Sequence, residues 1–321
     1  MFDVAVILIN YNSSRYTINC IKSIIEKTSP SVKYQIIITD NCSEKDDYIL
    51  LENFCNELNF QDLRLFRSDI NMGFGGGNMQ GVQFAKAKYL AFINNDTTLK
   101  NDCLSILKNE MENNSKIGIA TGQAFQENGN FLISIDHFAS FWREVFGRKF
   151  LESINKDRYP KRKKIYAEPV KTEFVSGAFM FLQASDFYEV GGFDTNIFLY
   201  YEETDLCKRL LKNKKYAFLI PSAEYVHIHG ASTKKSLEIK KELKISLLYV
   251  IRKHYGVLTY AALLMFLQLR YFFTSIFRPK YWSLFYLLLT GASLTKSIKQ
   301  KQIIKTVITT NEKNDNCSQS K

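Results

Sequence analysis

Three predominantly apolar runs constrain this chain most: residues 3–9, 34–39 and 89–93, each followed directly by Asn or Asp. A strand that is apolar at successive positions shows hydrocarbon to both faces of its sheet, so both faces must be covered. A weaker run at 63–66 reads as a fourth strand, and stretches with helical spacing alternate with all of them. That alternation predicts an α/β fold with a mostly parallel central sheet flanked by helices. Such sheets bind ligands beyond the carboxyl ends of their strands, the edge on which Asn12, Asp40 and Asp96 fall.

The first helix is expected to follow the turn at Asn10–Ser14 and to run to about residue 26. Residues 71–81 include Gly73, Gly75, Gly76, Gly77 and Gly81. Gly73 and Gly75 begin a dinucleotide fingerprint, but Asn78 stands where its third glycine belongs and the first strand's turn has none. Both facts argue against a dehydrogenase of the Rossmann type. The run is expected to be a loop that lets backbone approach a flat ligand and leads into a helix whose N-terminus favours anions. A flexible loop with no ligand would have the same composition.

Residues 102–113 read as a helix and 117–122 as a strand, whereas 129–170 show no clear period. The basic run at 156–164 is expected to be a solvated loop, with a loop near an anionic substrate as the alternative. Residues 173–181 read as one strand with a small step at Ser176-Gly177; a helix from Ser185 and a turn at 191–194 follow. Two strands at 216–220 and 224–228, separated by Pro221-Ser222, come next.

Residues 198–209 form an aromatic run that stops at Glu202, Glu203 and Asp205 and continues as an amphipathic helix. Aromatic neighbours and adjacent carboxylates raise a carboxyl pKa, which suits a general base near neutral pH. Acids at a helix start also satisfy free N–H groups and complement the dipole. His227 and His229 share one face of a strand and are candidate metal ligands, although a lone histidine is more often structural.

The formal charge of +11 is unevenly placed: residues 1–233 carry net −1 and residues 234–321 net +12. A basic, apolar tail behind a neutral body suits an anionic membrane surface; nucleic-acid binding would need a basic stripe on the body. Two uncharged runs, 255–269 and 282–294, are shorter than a clear spanning helix and are flanked by Lys, Arg, Tyr and Trp. In-plane interfacial helices are expected there, with a span or an oligomer interface as alternatives. Residues from 310 are polar and expected to be disordered. Six scattered cysteines without a Cys-x-x-Cys pair suit reduced thiols, and no leader peptide is expected, which together indicate a cytoplasmic protein on the inner face of the cell membrane.

Taken in order, Asn10-Tyr11-Asn12, Asp40-Asn41, the run Asn71 to Asn78, Asn94-Asn95-Asp96, Ser176-Gly177, Gly191 to Asp194, Tyr201 to Arg209 and His227 to Ser232 resemble the motifs of inverting family 2 glycosyltransferases. The likeness is to the rhamnosyltransferase-like branch. It implies the GT-A (nucleotide-diphospho-sugar transferase) fold, with residues 1–233 as the transferase domain. Residues 1–100 would be its nucleotide-sugar half and 101–233 its acceptor half; 234–309 would be a helical, membrane-associating extension and 310–321 a disordered tail.

By position, the resemblance implies that Tyr11, Asn12 and Asp40 hold the nucleoside base, and that Asn71, Gly73, Phe74, Gly75 and Asn78 line base and ribose, with Asn94 and Asn95 beside the donor. Asp96, with His227 or His229, would hold Mg²⁺ or Mn²⁺. Gly177 and Trp142 would face the acceptor. Glu203 would be the base, with Glu202 and Asp205 setting its orientation and pKa. Two departures stand out: Asn94 replaces the first acid of the Asp-x-Asp motif, and Glu203 replaces the usual Asp, which leaves Glu202 and Glu203 as rival bases.

The activity implied is transfer of one sugar from a thymidine-, uridine- or guanosine-diphosphate donor, such as dTDP-rhamnose or a UDP-sugar, to a lipid-linked or polysaccharide acceptor in surface glycan assembly. A sugar-nucleotide pyrophosphorylase would need a Gly-rich loop with Arg or Lys straight after the first strand, which residues 10–14 lack. A non-catalytic sugar-nucleotide or glycan-binding relative is the other alternative, disfavoured by retention of all three acids.

Overall fold

The computed structural model describes residues 1–228 and 236–304. Consecutive apolar residues make the centre of the sheet. β1 (Phe2–Asn10) is followed by α1 (Ser14–Lys27), β2 (Tyr34–Asp40), α2 (Lys45–Glu57), β3 (Leu63–Arg67), α3 (Gly73–Val82) and β4 (Ala87–Asn94). β1 pairs in parallel with β2 and β4, and β2 in parallel with β3. Period-two alternation divides β1 between two cores. Val4, Val6 and Leu8 pack with Cys20, Ile21 and Ile24 of α1, while Ala5 and Ile7 pack with Val82 of α3. Each buried Val, Leu or Ile among them contributes roughly 1.5–3 kcal/mol of transfer free energy.

The second half adds β5 (Thr97–Leu99), α4 (Cys103–Asn113), β6 (Ile117–Phe125), β7 (Phe131–Leu132), β8 (Ile135–Asp136), α5 (Phe141–Phe146) and α6 (Arg148–Ile154). It continues with β9 (Val170–Thr172), β10 (Phe174–Val175), β11 (Phe179–Gln183), α7 (Ala184–Glu189), α8 (Glu202–Lys212) and β12 (Tyr216–His227). The main sheet runs β3-β2-β1-β4-β11-β6-β12-β5, with β7 beside β6 and β9 beside β12. β11 lies antiparallel to both β4 and β6, which joins the parallel first half to the rest.

Three elements differ from the sequence expectation. The glycine run is a helix, not a loop: α3 starts at Gly73, and Gly75, Gly76, Gly77 and Gly81 lie inside it. Its glycines let it press on the sheet, since a Cβ on Gly77 would come within 3.0 Å of Ile9 and one on Gly81 within 2.8 Å of Ile7. Residues 173–181 are not one strand, because the Ser176-Gly177 step ends β10, which pairs with β8 in a separate two-stranded sheet, before β11 enters the main sheet. Residues 216–227 are one strand, not two, with an irregularity between Ile220 and Glu224 that absorbs Pro221.

The C-terminal part holds α9 (Leu237–Phe277) and α10 (Trp282–Leu289). Gly256, with φ 83° and ψ 179°, breaks α9 into two segments. Ile245, Leu248 and Ile251 before the break and Leu263 and Leu267 after it form one cluster with Leu284 and Leu288 of α10 and with Ala139. By length and composition α9 is the one helix among the described residues able to cross a membrane, and only 11% of its most apolar window is buried. The five described cysteines are free. The polar tail from 310 lies outside the described residues.

Gly73 ties the two halves together: its φ is 73°, and a Cβ there would lie 2.1 Å from the carbonyl oxygen of Phe198. Gly129 has a similar φ of 80° with nothing within 4 Å of the same position. Gly73→Ala should therefore lower unfolding free energy by about 2 kcal/mol or more, combining left-handed strain with a lost hydrogen bond. Gly129→Ala should cost only the strain, and denaturant melts of the two variants measure the difference.

Candidate active site

The carboxyl ends of β1, β2 and β3 meet in one polar network. Asn10 Nδ2 donates to Asp40 Oδ1 at 2.9 Å and to Asp47 Oδ2 at 2.9 Å, and its Oδ1 accepts from Thr17 at 2.7 Å. Asp40 is fully enclosed; it also accepts from the Ser43 amide at 3.1 Å and lies 3.7 Å from Arg67 Nε. Arg67 stacks over Tyr48, 4.3 Å from the ring centre. Burial would raise the Asp47 carboxyl, but hydrogen bonds from Ser14 and Asn10 hold it below its usual range. Asn12 adopts φ 51° and caps the Glu44 amide at 2.7 Å, while Tyr11 stays exposed at the rim. Sequence reasoning missed Arg67 and Asp47. The signal for Arg67 was its place at the end of the third strand, on the same edge as Asn10 and Asp40.

Asn41 connects this network to α3. Its amide donates to Asn71 Oδ1 at 2.9 Å and to the Gly73 carbonyl at 3.1 Å, and its oxygen accepts from Met72 N at 2.9 Å. Phe74 meets Phe193 edge-on, with centroids 5.8 Å apart, and Gly75 lies against Phe193 and Glu202. Two residues expected beside the donor also bond within the fold through their Nδ2 atoms. Asn78 donates to Phe74 O on its own helix at 3.1 Å, and buried Asn95 donates to Ser13 at 2.7 Å and Thr17 at 2.8 Å.

At the end of β4, Asp96 Oδ1 lies 3.1 Å from His227 Nε2, because β5 pairs antiparallel with β12 and sets Thr97 opposite His227. Ile228 N donates to Asp96 O at 3.0 Å. Among the described residues no group of three His, Cys, Asp or Glu gathers to hold a metal ion. His229 lies outside the described residues.

Phe198 O accepts from Phe74 N at 3.0 Å, and Tyr200 and Tyr201 then take left-handed φ values of 71° and 73° before α8 begins. Ser246 of α9 braces this turn by donating to Leu199 O at 2.9 Å. The three acids of the first turn of α8 part company. Glu203 lines a cavity of about 230 Å³ with Asp136, Arg143, Arg148, Ser176 and Tyr200. Burial first, then the charge of Asp136, push its carboxyl up to about 7 against the opposing pull of Arg143. Glu202 is 2% exposed, and its Oε1 has no hydrogen-bond partner among the described residues. Burial and the Glu203 charge raise it well above the usual carboxylate range.

Asp205 was expected to tune Glu203, but its carboxylate is held by other partners. It bonds Arg209 Nε at 2.8 Å, Lys253 Nζ at 2.7 Å and His254 Nε2 at 2.7 Å. Burial alone would raise it, yet the His254 and Lys253 hydrogen bonds and the Arg209 charge hold it far below the usual range. Lys253 and Tyr249 also bond Asp194, each at 2.7 Å.

The Ser176-Gly177-Ala178 step lies between the two acid sites. Ser176 lines the Glu203 cavity, while Ala178 O accepts from Asn94 N at 2.9 Å and Thr97 Oγ1 at 3.4 Å, on either side of Asp96. A Cβ on Gly177 would touch Phe74 at 3.7 Å. Trp142 is exposed on α5 and turned outward, whereas its neighbour Arg143 lines the cavity.

His254→Ala should cost roughly 1–3 kcal/mol, because it leaves Asp205 short of a buried hydrogen bond; His254→Gln, which keeps a donor, should recover part of it. A depressed carboxyl contributes stability above its unfolded value near 4, lost as pH falls through the folded one. The difference between variant and parent should accordingly be full at pH 7 and shrink in acid, as urea titrations at both pH values measure.

Comparison with known proteins now bears on this geometry. The sequence profile of glycosyl transferase family 2 matches residues 5–191, a segment that ends before Glu202. The chain is 28% identical to the rhamnosyltransferase WbbL of Escherichia coli K12 over 262 residues, 78% of this chain and 93% of that protein. It is 31% identical over 85 residues to an N-acetylglucosaminyl-diphospho-decaprenol L-rhamnosyltransferase of Mycobacterium tuberculosis, covering 26% of this chain and 28% of that one. Among solved structures, Staphylococcus aureus TarS 1–349 with UDP superposes with a TM-score of 0.52 at 15% identity, over 78% of this chain and 65% of that one. GalNAc-T7 with UDP, GalNAc and Mn²⁺ gives 0.52 at 16%, over 77% and 48%. The chain thus spans less than two thirds of either solved chain, and those likenesses speak to the fold, which is the GT-A fold the motifs implied. On the span of the family match, the chain belongs to glycosyl transferase family 2.

Proposed function

We propose that this glycosyltransferase is inverting and metal-dependent, and that it moves one sugar from a nucleoside diphosphate to a hydroxyl of a lipid-linked or polysaccharide acceptor during surface glycan assembly. The kinship with rhamnosyltransferases favours a rhamnose-like donor sugar. The observation that carries the reading is the Ser176–Ala178 step, with the Asp96–His227 pair beside one end and the Glu203 cavity at the other.

In this reading the Asn12, Asp40 and Arg67 edge takes the nucleoside base, and Asn71, Gly73, Phe74 and Gly75 face base and ribose. Asp96 and His227 would hold Mg²⁺ or Mn²⁺. A carboxylate and an imidazole 3.1 Å apart suit such an ion if phosphate and water oxygens complete its shell, since no third His, Cys, Asp or Glu joins them among the described residues. When bound, the cation neutralises charge that builds on the departing diphosphate.

Glu203 accepts the proton of the attacking hydroxyl. The oxygen bonds to the anomeric carbon as the bond from that carbon to the phosphate oxygen breaks, and attack from the opposite face inverts the configuration. Its value near 7 leaves a large deprotonated fraction at neutral pH. Glu202, its carboxyl raised by burial and the Glu203 charge, stays protonated and orients the base. Asp205 anchors the helix that carries both.

In this reading the extension would hold the site against the inner, anionic membrane surface. Residues 257–304 contain six Lys or Arg and no Asp or Glu. Leu258, Met265, Leu269, Phe273 and Phe277 are exposed along the second segment of α9. An apolar face with a cationic rim is the composition of an interfacial helix.

Two experiments test the chemistry. Chelation or Asp96→Asn should abolish sugar transfer by purified protein, and the donor-dependent rise in melting temperature with Mn²⁺ should fall with it; undiminished transfer after both would refute the metal role. Glu203→Gln should keep that melting shift yet lose about 10²–10⁴-fold in turnover. In the parent enzyme turnover should rise with pH and level off above about 7, because the base works deprotonated. Normal turnover in Glu203→Gln with loss in Glu202→Gln would reassign the base.

A further inference from the structure

A line of large apolar side chains runs along the outside of α5 and α6: Trp142, Phe146, Phe150 and Ile154, exposed by 58, 53, 38 and 59%. Ring contacts carry the line across the break at Gly147, with Trp142 and Phe146 5.7 Å apart and Phe146 and Phe150 5.0 Å apart. The transferase chemistry above uses none of these rings. Four exposed apolar side chains in a row form a patch that water disfavours, which marks an interaction surface.

The surroundings of the patch identify its occupant. Residues 141–164 hold nine Lys or Arg against three Asp or Glu. Two of those acids are tied inside the fold, Glu144 to Arg143 at 2.8 Å and Glu152 to Arg162 and His137, each at 3.4 Å. Lys149, Lys156, Lys161, Lys163 and Lys164 of the same segment are exposed. Aromatic side chains with lysines beside them match the headgroup layer of an anionic bilayer. A glycan platform would instead set hydrogen-bonding side chains among the rings. The patch also adjoins the extension: Phe141 packs on the α9 and α10 cluster, and Lys244 Nζ lies 3.8 Å from Glu144.

We propose that this aromatic line is a second membrane-contact surface, which seats the α5–α6 wall of the Glu203 cavity in the headgroups of an anionic bilayer. It rests on the membrane reading given above for the extension. Arg143 and Arg148 line the cavity from the same wall, so an acceptor anchored in that leaflet would reach Glu203 without leaving the membrane surface.

The chain has two tryptophans, Trp142 and Trp282. Full-length Trp282→Phe protein therefore reports on Trp142 alone; should that variant misfold, the difference spectrum between parent and Trp142→Phe reports the same residue. With vesicles of phosphatidylcholine and phosphatidylglycerol carrying brominated chains, Trp142 emission should shift blue and lose at least half its intensity. Replacing Trp142, Phe146 and Phe150 together by alanine should weaken vesicle binding about tenfold, since interfacial affinity scales with buried apolar area. Unquenched Trp142 on protein that still sediments with vesicles overturns the proposal and leaves the extension's role intact. Absence of any vesicle binding sinks both. A blue shift without lipid that grows with protein concentration assigns the line to a second copy of the chain and also overturns it.

Discussion

The backbone hydrogen bond from Phe74 N to Phe198 O joins the start of α3 to the approach to α8, and the rest of the site depends on it. Only glycine fits at position 73, where φ is positive and the Phe198 carbonyl fills the place of a Cβ. The same bond fixes the start of α3 and the approach to α8, so the glycine helix and the acid helix hold one relative position. Tyr200 and Tyr201 turn the chain through left-handed geometry between bond and helix, a conformation of modest cost that surrounding contacts must maintain. Ser246 supplies one of those contacts from α9.

Three acids within four residues of α8 meet three environments, and environment separates them chemically. Glu203 opens on a cavity where burial and the Asp136 charge outweigh Arg143. Glu202 is buried beside Glu203, and burial and that neighbouring charge favour its neutral form. Asp205 is ringed by Arg209, Lys253 and His254 and stays ionised. Neighbouring carboxylates pushed apart in this way have three different protonation behaviours within one helical turn.

The C-terminal helix belongs to this arrangement. Before Gly256, α9 supplies Ser246, Tyr249, Lys253 and His254 to Leu199, Asp194 and Asp205; after it, the helix turns an apolar surface outward. The residues that clamp Asp205 immediately precede the break. The second segment of α9 therefore starts three residues after His254, a partner of Asp205.

Much of the fold was legible because buried parallel strands are written as continuous apolar runs: residues 3–9, 34–39 and 89–93 fell within β1, β2 and β4. The polar residues at their carboxyl ends were legible for the same reason, since the sheet edge follows from the strands. Sequence by itself thus determined the sheet, the glycine run's importance and the acids at a helix start. Only tertiary structure decided that the glycine run is helical, because glycine's freedom is resolved by contact with Ile7 and Ile9, residues far away in the chain. Tertiary structure likewise decided which acid faces the cavity. A local pattern places all three in one helical turn, but burial and the charges of Asp136, Arg143, Lys253 and His254, brought in from other elements, set what each carboxylate does.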